Sequence, residues 1–253
     1  MFDILTVNEN IQSIILDKDG TIIDAHHYWI EMSNLRIIEV LDSLNLSDTL
    51  YNDLQNKLEV SFGIDKENHK IFKNGPASVK PRNFMVNLIL NELLEEGINI
   101  SEKNVTDAFL KVDELSKLNI SNFLKLLPGL EDFISKAHIK GIDLCLVTND
   151  ITTRAELALE NLGFLNKFKY IFGQDQVQKA KPSKDLAELV IKSGNYSKDC
   201  IINIGDHPND MRMGIDAGIK NNYAVLTGLS DANNFAEIEC SLLKDFTQID
   251  FDE

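Results

Sequence analysis

The sequence predicts an α/β protein with a doubly wound parallel sheet and an inserted α-helical domain. Short apolar runs that end in turn-forming residues alternate with segments whose apolar residues recur every three to four positions. Glycine follows most of these helical segments, as expected where a helix ends in the left-handed conformation. Strands and helices that alternate with short connections predict a parallel sheet with helices on its faces.

Three apolar runs are the clearest strand candidates, at Ser13–Leu16, 142–147 and 201–204. Each run ends in a polar cluster that contains aspartate. Weaker candidates cover 170–172 and 223–226. Short apolar runs bounded by turn residues are typical of strands that are buried on both faces, as in parallel sheets.

Eight segments show the helical period. Four of them lie between the strand candidates, at Leu130–Ile139, 154–162, 183–193 and 208–217. The other four follow the first strand without a convincing strand among them, at 28–44, 47–62, 82–96 and 101–120.

This distribution predicts two domains. We expect a core formed by 1–25 and 126–253, and a helical cap domain over 26–125, inserted directly after a candidate active-site loop. The segment 63–81 is the least regular part of the insert because it contains two proline turns. The acidic tail, 245–253, is expected to fray.

The charge balance excludes several classes of protein. The 253 residues include 40 acidic and 25 basic side chains, so the formal net charge is -15. Binding to duplex nucleic acid or to an anionic membrane needs the opposite sign. The hydrophobic share of 43% is that of a globular protein.

The cysteines and the N-terminus predict a cytoplasmic protein. Cys145, Cys200 and Cys240 lie far apart and lack zinc-site spacing, and the first two stand in apolar runs, which predicts buried free thiols in a reducing compartment. We see no signal peptide, and no apolar run approaches the roughly 18 residues of a membrane helix. A monomer or a homodimer is expected.

The three best strands end in carboxylates, which predicts a metal site. Asp17 and Asp19 follow the first strand, Asp150 follows the second, and Asp206 and Asp210 follow the third. Any one cluster alone is explained by turn formation. Ligands of open parallel sheets bind beyond the carboxyl ends of the strands, where these like charges would converge. Oxygen ligands favour Mg²⁺ as the compensating cation.

A lysine with a candidate role lies between the second and third strands. Lys181 precedes Pro182, which we expect in the first turn of the helix 183–193. Held at the strand ends, Lys181 would offset the charge of a carboxylate and a phosphate. The alternative is a solvated surface lysine, which is the interpretation we give Lys179 and Lys184.

Four motifs together resemble the haloacid dehalogenase-like hydrolase superfamily. They are D-K-D-G-T-I-I-D at 17–24, Thr148 at a strand end, Lys181-Pro182, and G-D-H-P-N-D at 205–210. They stand in the family order and cover the chain from about 13 to 228. The helical insert resembles the cap of the phosphoglycolate phosphatase-like subgroup.

The resemblance implies a role for each motif. Asp17 would attack a phosphoryl group and form an aspartyl-phosphate. Asp19 would protonate the leaving oxygen and then activate water. The Asp17 carboxylate, the Asp19 backbone carbonyl and Asp206 would hold Mg²⁺, and Asp210 would bind it through water or orient Lys181. The phosphoryl oxygens would be bound by Thr148 and by the backbone amides of Lys18, Asp19 and Asn149.

Asp19 selects among the activities of the superfamily. Dehalogenases lack this aspartate, and the related transport ATPases have threonine there and need membrane helices. Hydrolysis of a small phosphorylated metabolite is therefore our prediction. A sugar phosphomutase is the alternative, and a receiver-type signalling domain that accepts phosphate on aspartate is a weaker one.

The cap is expected to choose the substrate. His27 and Tyr28 open the insert and are candidates for contact with the part of the substrate that carries no phosphate. Arg82, at a helix start, is a candidate for binding a carboxylate or a second phosphate. Packing of the aromatic ring and solvation of the arginine are the competing interpretations. His207 lies inside the fourth motif, and the sequence leaves its role open.

Overall fold

The computed structural model describes residues 3–72 and 75–252 and divides into two compact units. The core unit joins 1–25 to 124–253, and the helical unit covers 26–123. No helix in the described part of the chain has the length and apolarity that crossing a bilayer requires.

A six-stranded parallel sheet forms the centre of the core unit. Its strands, in spatial order, are β6 (Phe168–Phe172), β5 (Asp143–Val147), β2 (Ser13–Leu16), β7 (Ile201–Gly205), β8 (Asn221–Val225) and β9 (Ser241–Leu243). The chain moves outward from β2 in both directions, so β2 lies where the strand order reverses. The predicted doubly wound α/β class is confirmed, and ligands of such sheets bind at this reversal.

Four helices cover the two faces of this sheet. They are α6 (Leu130–Ile139), α7 (Thr152–Asn161), α8 (Asp185–Gly194) and α9 (Pro208–Asp216). Ile14 and Leu16 of β2 pack in one apolar layer with α6 and α7, whereas Ile15 packs in the other layer with α8 and α9. Full burial of each such side chain contributes about 1.5–3 kcal/mol to folding.

The start of α8 corrects a prediction. Pro182 lies outside the first turn of this helix, because the helix begins at Asp185. The Asp185 carboxylate accepts hydrogen bonds from the Ser183 hydroxyl at 2.5 Å and from the Lys179 backbone N–H at 3.3 Å. These bonds hold the segment before the helix in a turn, and the peptide bond between Lys181 and Pro182 is cis.

The C-terminal segment corrects a second prediction. Its described residues do not fray, because β10 (Ile249–Phe251) pairs in parallel with β1 (Leu5–Val7). Phe246 and Ile249 are buried in the core layer that contains α6. The sequence did not predict this strand, because it has only three residues and the segment around it is acidic.

The helical unit contains α1 (Ala25–Asp42), α2 (Asp48–Phe62), α3 (Pro76–Val79), α4 (Arg82–Glu95) and α5 (Glu102–Leu118). Ser47 and Ser101 cap α2 and α5 by accepting hydrogen bonds from backbone N–H groups three residues later. The prediction that this unit lacks strands is wrong. β3 (Ile64–Asp65) and β4 (Lys70–Ile71) form a small antiparallel hairpin in the segment expected to be irregular.

All three cysteines are free thiols. Cys145 is buried, as predicted, and burial raises the pKa of its thiol to about 11. Cys200 is partly exposed rather than buried, because it lies in the turn that precedes β7.

Candidate active site

Three predicted site residues lie at neighbouring strand ends of the core unit. Asp17 follows β2, Thr148 follows β5, and Asp206 follows β7. The strands are parallel, and β2 is hydrogen-bonded to both of the others. Their carboxyl ends therefore lie at one edge of the sheet, and the side chains that follow them lie close together.

A tight loop follows Asp17 and leaves almost no room for larger residues. Gly20 has φ +89°, and a Cβ atom there would lie 2.4 Å from the Asp206 carboxylate. The Gly20 N–H donates to the Ile23 carbonyl at 2.7 Å, and the Thr227 hydroxyl donates to the Gly20 carbonyl at 2.6 Å. The loop is thus held against Asp206.

Lys181 lies between two carboxylates of this edge. Its Nζ donates to Asp17 Oδ1 at 2.5 Å and to Asp210 Oδ1 at 2.7 Å. Its side chain is only 3% exposed. Burial lowers the pKa of the Lys181 ammonium, but Asp17 and Asp210 more than offset this effect, and the pKa stands above its usual value. Lys181 is a buried cation and not a solvated surface residue.

Asp210 holds Lys181 in place. Its second carboxylate oxygen accepts the His207 backbone N–H at 3.0 Å, within the capping box that begins α9. The His207 ring takes part in the same cap, since its Nδ1 accepts the Asn209 N–H at 3.1 Å. Burial lowers the pKa of the His207 imidazole. Of the two predicted roles of Asp210, the geometry favours orientation of Lys181.

Asp17, Asp206 and Asp210 form a cluster of carboxylates. One oxygen of each lies within 4.8 Å of the others. Burial raises the pKa of Asp17 to about 7, with Lys181 opposing the shift and Asp210 adding to it. Burial, together with the charge of Asp17, raises the pKa of Asp206 well above its usual value. A hard cation with oxygen ligands would remove this repulsion, so the donor set fits Mg²⁺.

Asp19 is set apart from that cluster. Its carboxylate is 44% exposed and lies 3.3 Å from Lys18 Nζ. The Lys18 ammonium is buried and also donates to Asp150 Oδ2 at 2.7 Å. Burial lowers the pKa of Lys18, but its two carboxylate partners raise it further. The contact between Lys18 and Asp150 was not predicted, because residues 132 positions apart leave no local pattern in the sequence.

Thr148 and Asn149 connect β5 to the lysine segment. Thr148 is buried, and its hydroxyl accepts the Asp150 N–H at 3.1 Å. The Asn149 side chain accepts the Lys181 N–H at 2.9 Å and donates to the Lys181 carbonyl at 3.2 Å. Asn149 was expected to act through its backbone amide. The structure shows that its side chain fixes the peptide of Lys181.

The three specificity candidates lie in the helical unit. His27 Nε2 lies 3.2 Å from the Asn122 carbonyl, and Tyr28 packs edge-on against Trp29 and Phe123. Arg82 forms an ion pair with Asp113, which also binds Arg36. These contacts lie within the unit, and a role of His27, Tyr28 and Arg82 in substrate binding stays a prediction.

Known proteins resemble this chain at the levels of family, sequence and fold. A family model described as haloacid dehalogenase-like hydrolase matches residues 11–218. A phosphoglycolate phosphatase from Salmonella typhi is 29% identical over 113 residues, which cover 45% of this chain and 43% of the relative. The match therefore spans less than half the length of that relative.

Two further comparisons extend the likeness. A phosphorylated carbohydrates phosphatase from Thermotoga maritima is 31% identical over 150 residues, which cover 57% of this chain and 67% of the relative. The solved structure of a HAD-superfamily hydrolase of subfamily IA from Geobacter sulfurreducens matches with a TM-score of 0.66. It covers 96% of both chains at 13% identity, which establishes likeness of fold alone.

Proposed function

Because the chain belongs to the haloacid dehalogenase-like hydrolase family, we propose that it hydrolyses small phosphomonoesters with Mg²⁺ through an aspartyl-phosphate. One observation carries the proposal. The Asp17 carboxylate lies at the reversal point of the sheet, in contact with a buried lysine and within a cluster of carboxylates. This arrangement supplies a nucleophile and the charges that position a phosphoryl group.

Mg²⁺ would be held by the carboxylates of Asp17 and Asp206, with the backbone carbonyl of Asp19 as a further ligand. When bound, the ion neutralises the negative charge of the phosphoryl oxygens and of the carboxylates around them. Asp210 already binds Lys181 and the backbone of His207, so we assign it to orientation of the lysine.

In the first step, a carboxylate oxygen of Asp17 attacks phosphorus, and the bond between phosphorus and the leaving oxygen breaks. Protonated Asp19 gives its proton to that leaving oxygen. Asp19 is then ionised, as the second step requires, and its carboxylate is 44% exposed. Lys181 offsets the negative charge of the phosphoryl oxygens, and the Thr148 hydroxyl donates a hydrogen bond to one of them.

In the second step, water attacks the phosphorus of the aspartyl-phosphate. Asp19, now ionised, takes the proton of that water, and the bond to Asp17 breaks to release inorganic phosphate. Lys181 stays in place because Asn149 holds its backbone and Asp210 holds its ammonium. Asp17 is regenerated as a carboxylate, so atoms and charge balance over the cycle.

The substrate class is a small phosphorylated metabolite. The curated relatives are named for phosphoglycolate and for phosphorylated carbohydrates. A panel of sugar phosphates and of phosphorylated short carboxylic acids, assayed for phosphate release, would identify the preferred compound.

The proposal is tested by hydrolysis of p-nitrophenyl phosphate. We expect phosphate release that EDTA stops and added Mg²⁺ restores. Asp19→Asn should slow turnover by about 100- to 10,000-fold, the range of general acid–base catalysis. Asp132→Asn is the matched control, because Asp132 is an exposed carboxylate on α6. Restoration by Zn²⁺ but not by Mg²⁺ would contradict the metal assignment.

The same assay separates the two alternatives named from the sequence. A sugar phosphomutase would move the phosphoryl group between hydroxyls of a sugar phosphate and release little phosphate. A receiver-type domain would retain the group on aspartate after one turnover. Either result would contradict hydrolysis as the main activity.

A further inference from the structure

We infer that the helical unit binds a divalent transition-metal ion, of which zinc is the best match, through His27, Glu31 and His69. One ligand atom of each side chain lies within 4.8 Å of the others. All three residues belong to the same compact unit. The site is separate in composition from the carboxylate cluster of the core unit, which contains no histidine.

The local structure brings these side chains together from two elements. His27 and Glu31 stand four residues apart on α1, so they lie on the same face of the helix. His69 stands in the turn of the β3–β4 hairpin with φ +53°. The neighbouring His26 ties the hairpin to α1, because its Nδ1 accepts the Ile71 backbone N–H at 3.1 Å.

The hydrogen bond of the His27 ring to a backbone carbonyl suits a metal ligand. A carbonyl oxygen only accepts hydrogen bonds, so the 3.2 Å contact of Nε2 with the Asn122 carbonyl places the ring proton on Nε2. In a neutral imidazole with this tautomer, Nδ1 carries the lone pair. Metal-bound imidazoles commonly donate their other N–H to a backbone carbonyl, which orients the ring. The His69 ring lies 6.4 Å from the His27 ring, centroid to centroid.

The chemistry of the three ligand side chains indicates which metal ion would bind. Two imidazoles and one carboxylate form a three-ligand zinc site that leaves a fourth position for water. Imidazole favours zinc, copper, iron and nickel, whereas Mg²⁺ prefers oxygen ligands. His27 and Glu31 are half-buried and His69 is exposed, so an ion can enter from solvent. A bound ion would connect α1 to the hairpin.

The test is calorimetric titration of the full chain with Zn²⁺ in the presence of excess Mg²⁺, which competes for the carboxylate cluster. We expect one zinc ion per chain. Mutation of a residue that only hydrogen-bonds to a metal ligand typically lowers metal affinity by about 10- to 100-fold. His69→Gln and Glu31→Gln, which remove ligands, should therefore each weaken binding by at least about tenfold.

The control variant is His138→Gln, which removes an exposed imidazole of α6 in the core unit and should leave the zinc affinity unchanged. Far-ultraviolet circular dichroism shows whether each variant is folded. The inference is overturned if the wild-type chain binds no zinc, or if both ligand variants are folded and bind zinc as tightly as the wild type.

A second measurement does not depend on variants. The chain has five histidines, and long-range imidazole NMR correlations distinguish their ring nitrogens. Zinc should shift the signals of His27 and His69 and leave that of His138 in place. Shifts confined to His207, beside the carboxylate cluster, would overturn the inference.

Discussion

At the residue scale, opposing interactions act on the Asp17 carboxylate. Burial favours its neutral form and raises its pKa to about 7, although the ammonium of Lys181 lies 2.5 Å away and lowers it. Ionisation of Asp17 therefore destabilises the folded protein when no metal ion is bound. The ionised form of Asp17 is the proposed nucleophile, and burial disfavours this form in the metal-free protein.

The pH dependence of stability tests this description of Asp17. In EDTA, folded Asp17 keeps its proton up to a pH of about 7, whereas the unfolded chain loses it near the ordinary pKa of 3.8. The contribution of this group to stability is therefore full below the unfolded pKa and is lost as the pH rises through about 7. Asp17→Asn cannot titrate, so its melting temperature should rise relative to wild type by several degrees across this window.

Calorimetric melting of both proteins from acidic to neutral pH provides the measurement. The control is Asp132→Asn, which removes an exposed carboxylate of α6 and leaves Asp17 in place. A constant difference between Asp17→Asn and wild type would show that the Asp17 carboxyl is not destabilised by burial.

At the element scale, the loop after β5 positions the lysine segment before α8. The Asn149 side chain makes two hydrogen bonds with the Lys181 peptide. Asn149→Ala should lower kcat by about tenfold, which corresponds to about 1.4 kcal/mol, while the protein remains folded. Steady-state kinetics with p-nitrophenyl phosphate checks this prediction.

Asn161→Ala is the matched control, because the Asn161 side chain donates to the Leu157 carbonyl of its own helix, α7. It should retain full activity. If Asn149→Ala kept the wild-type kcat, the placement of Lys181 would not depend on the Asn149 side chain.

The segment after β8 packs against the carboxylate of Asp206, a proposed Mg²⁺ ligand. A Cβ atom on Gly228 would lie 1.8 Å from Asp206 Oδ2. Gly228→Ala should displace this carboxylate and raise the Mg²⁺ concentration for half-maximal activity. The expected rise is about 10- to 100-fold, the typical effect of mutating a residue that positions a metal ligand. Magnesium titration of the activity gives the value.

Gly141→Ala provides the comparison, since a Cβ atom there meets no other atom within 4 Å. Its backbone is left-handed, with φ +69°, so this variant loses stability without a change in magnesium affinity. Equal magnesium dependence of the two variants would mean that the contact between Gly228 and Asp206 does not set metal affinity.

At the scale of the whole molecule, the parallel, doubly wound class of the sheet was predictable and several distant contacts were not. Apolar runs such as Ser13–Leu16 alternate with helical segments, and the carboxylates at their ends predicted one shared edge. The β1–β10 pair was missed because strands of three residues carry little periodicity. The Asn149 contact with Lys181 was missed because hydrogen bonds across 32 positions leave no local pattern.

The net charge of -15 includes three carboxylates of the candidate site and many carboxylates exposed to solvent. Asp17, Asp206 and Asp210 repel one another in a buried cluster that Lys181 offsets only in part. A ligand that binds only the folded state stabilises it by mass action. Saturating Mg²⁺ should therefore raise the melting temperature of the wild type, and it should raise that of Asp206→Asn by less.

The covalent state of Asp17 during turnover provides the most direct test of the proposed chemistry. The Asp19→Asn variant, in which the second step is slowed, is mixed with Mg²⁺ and substrate, quenched in acid and analysed by peptide mass spectrometry. We predict one phosphoryl group on the peptide that carries Asp17, and none in the Asp17→Asn, Asp19→Asn double variant. Phosphate release without any phosphoryl group on Asp17 would contradict the aspartyl-phosphate route.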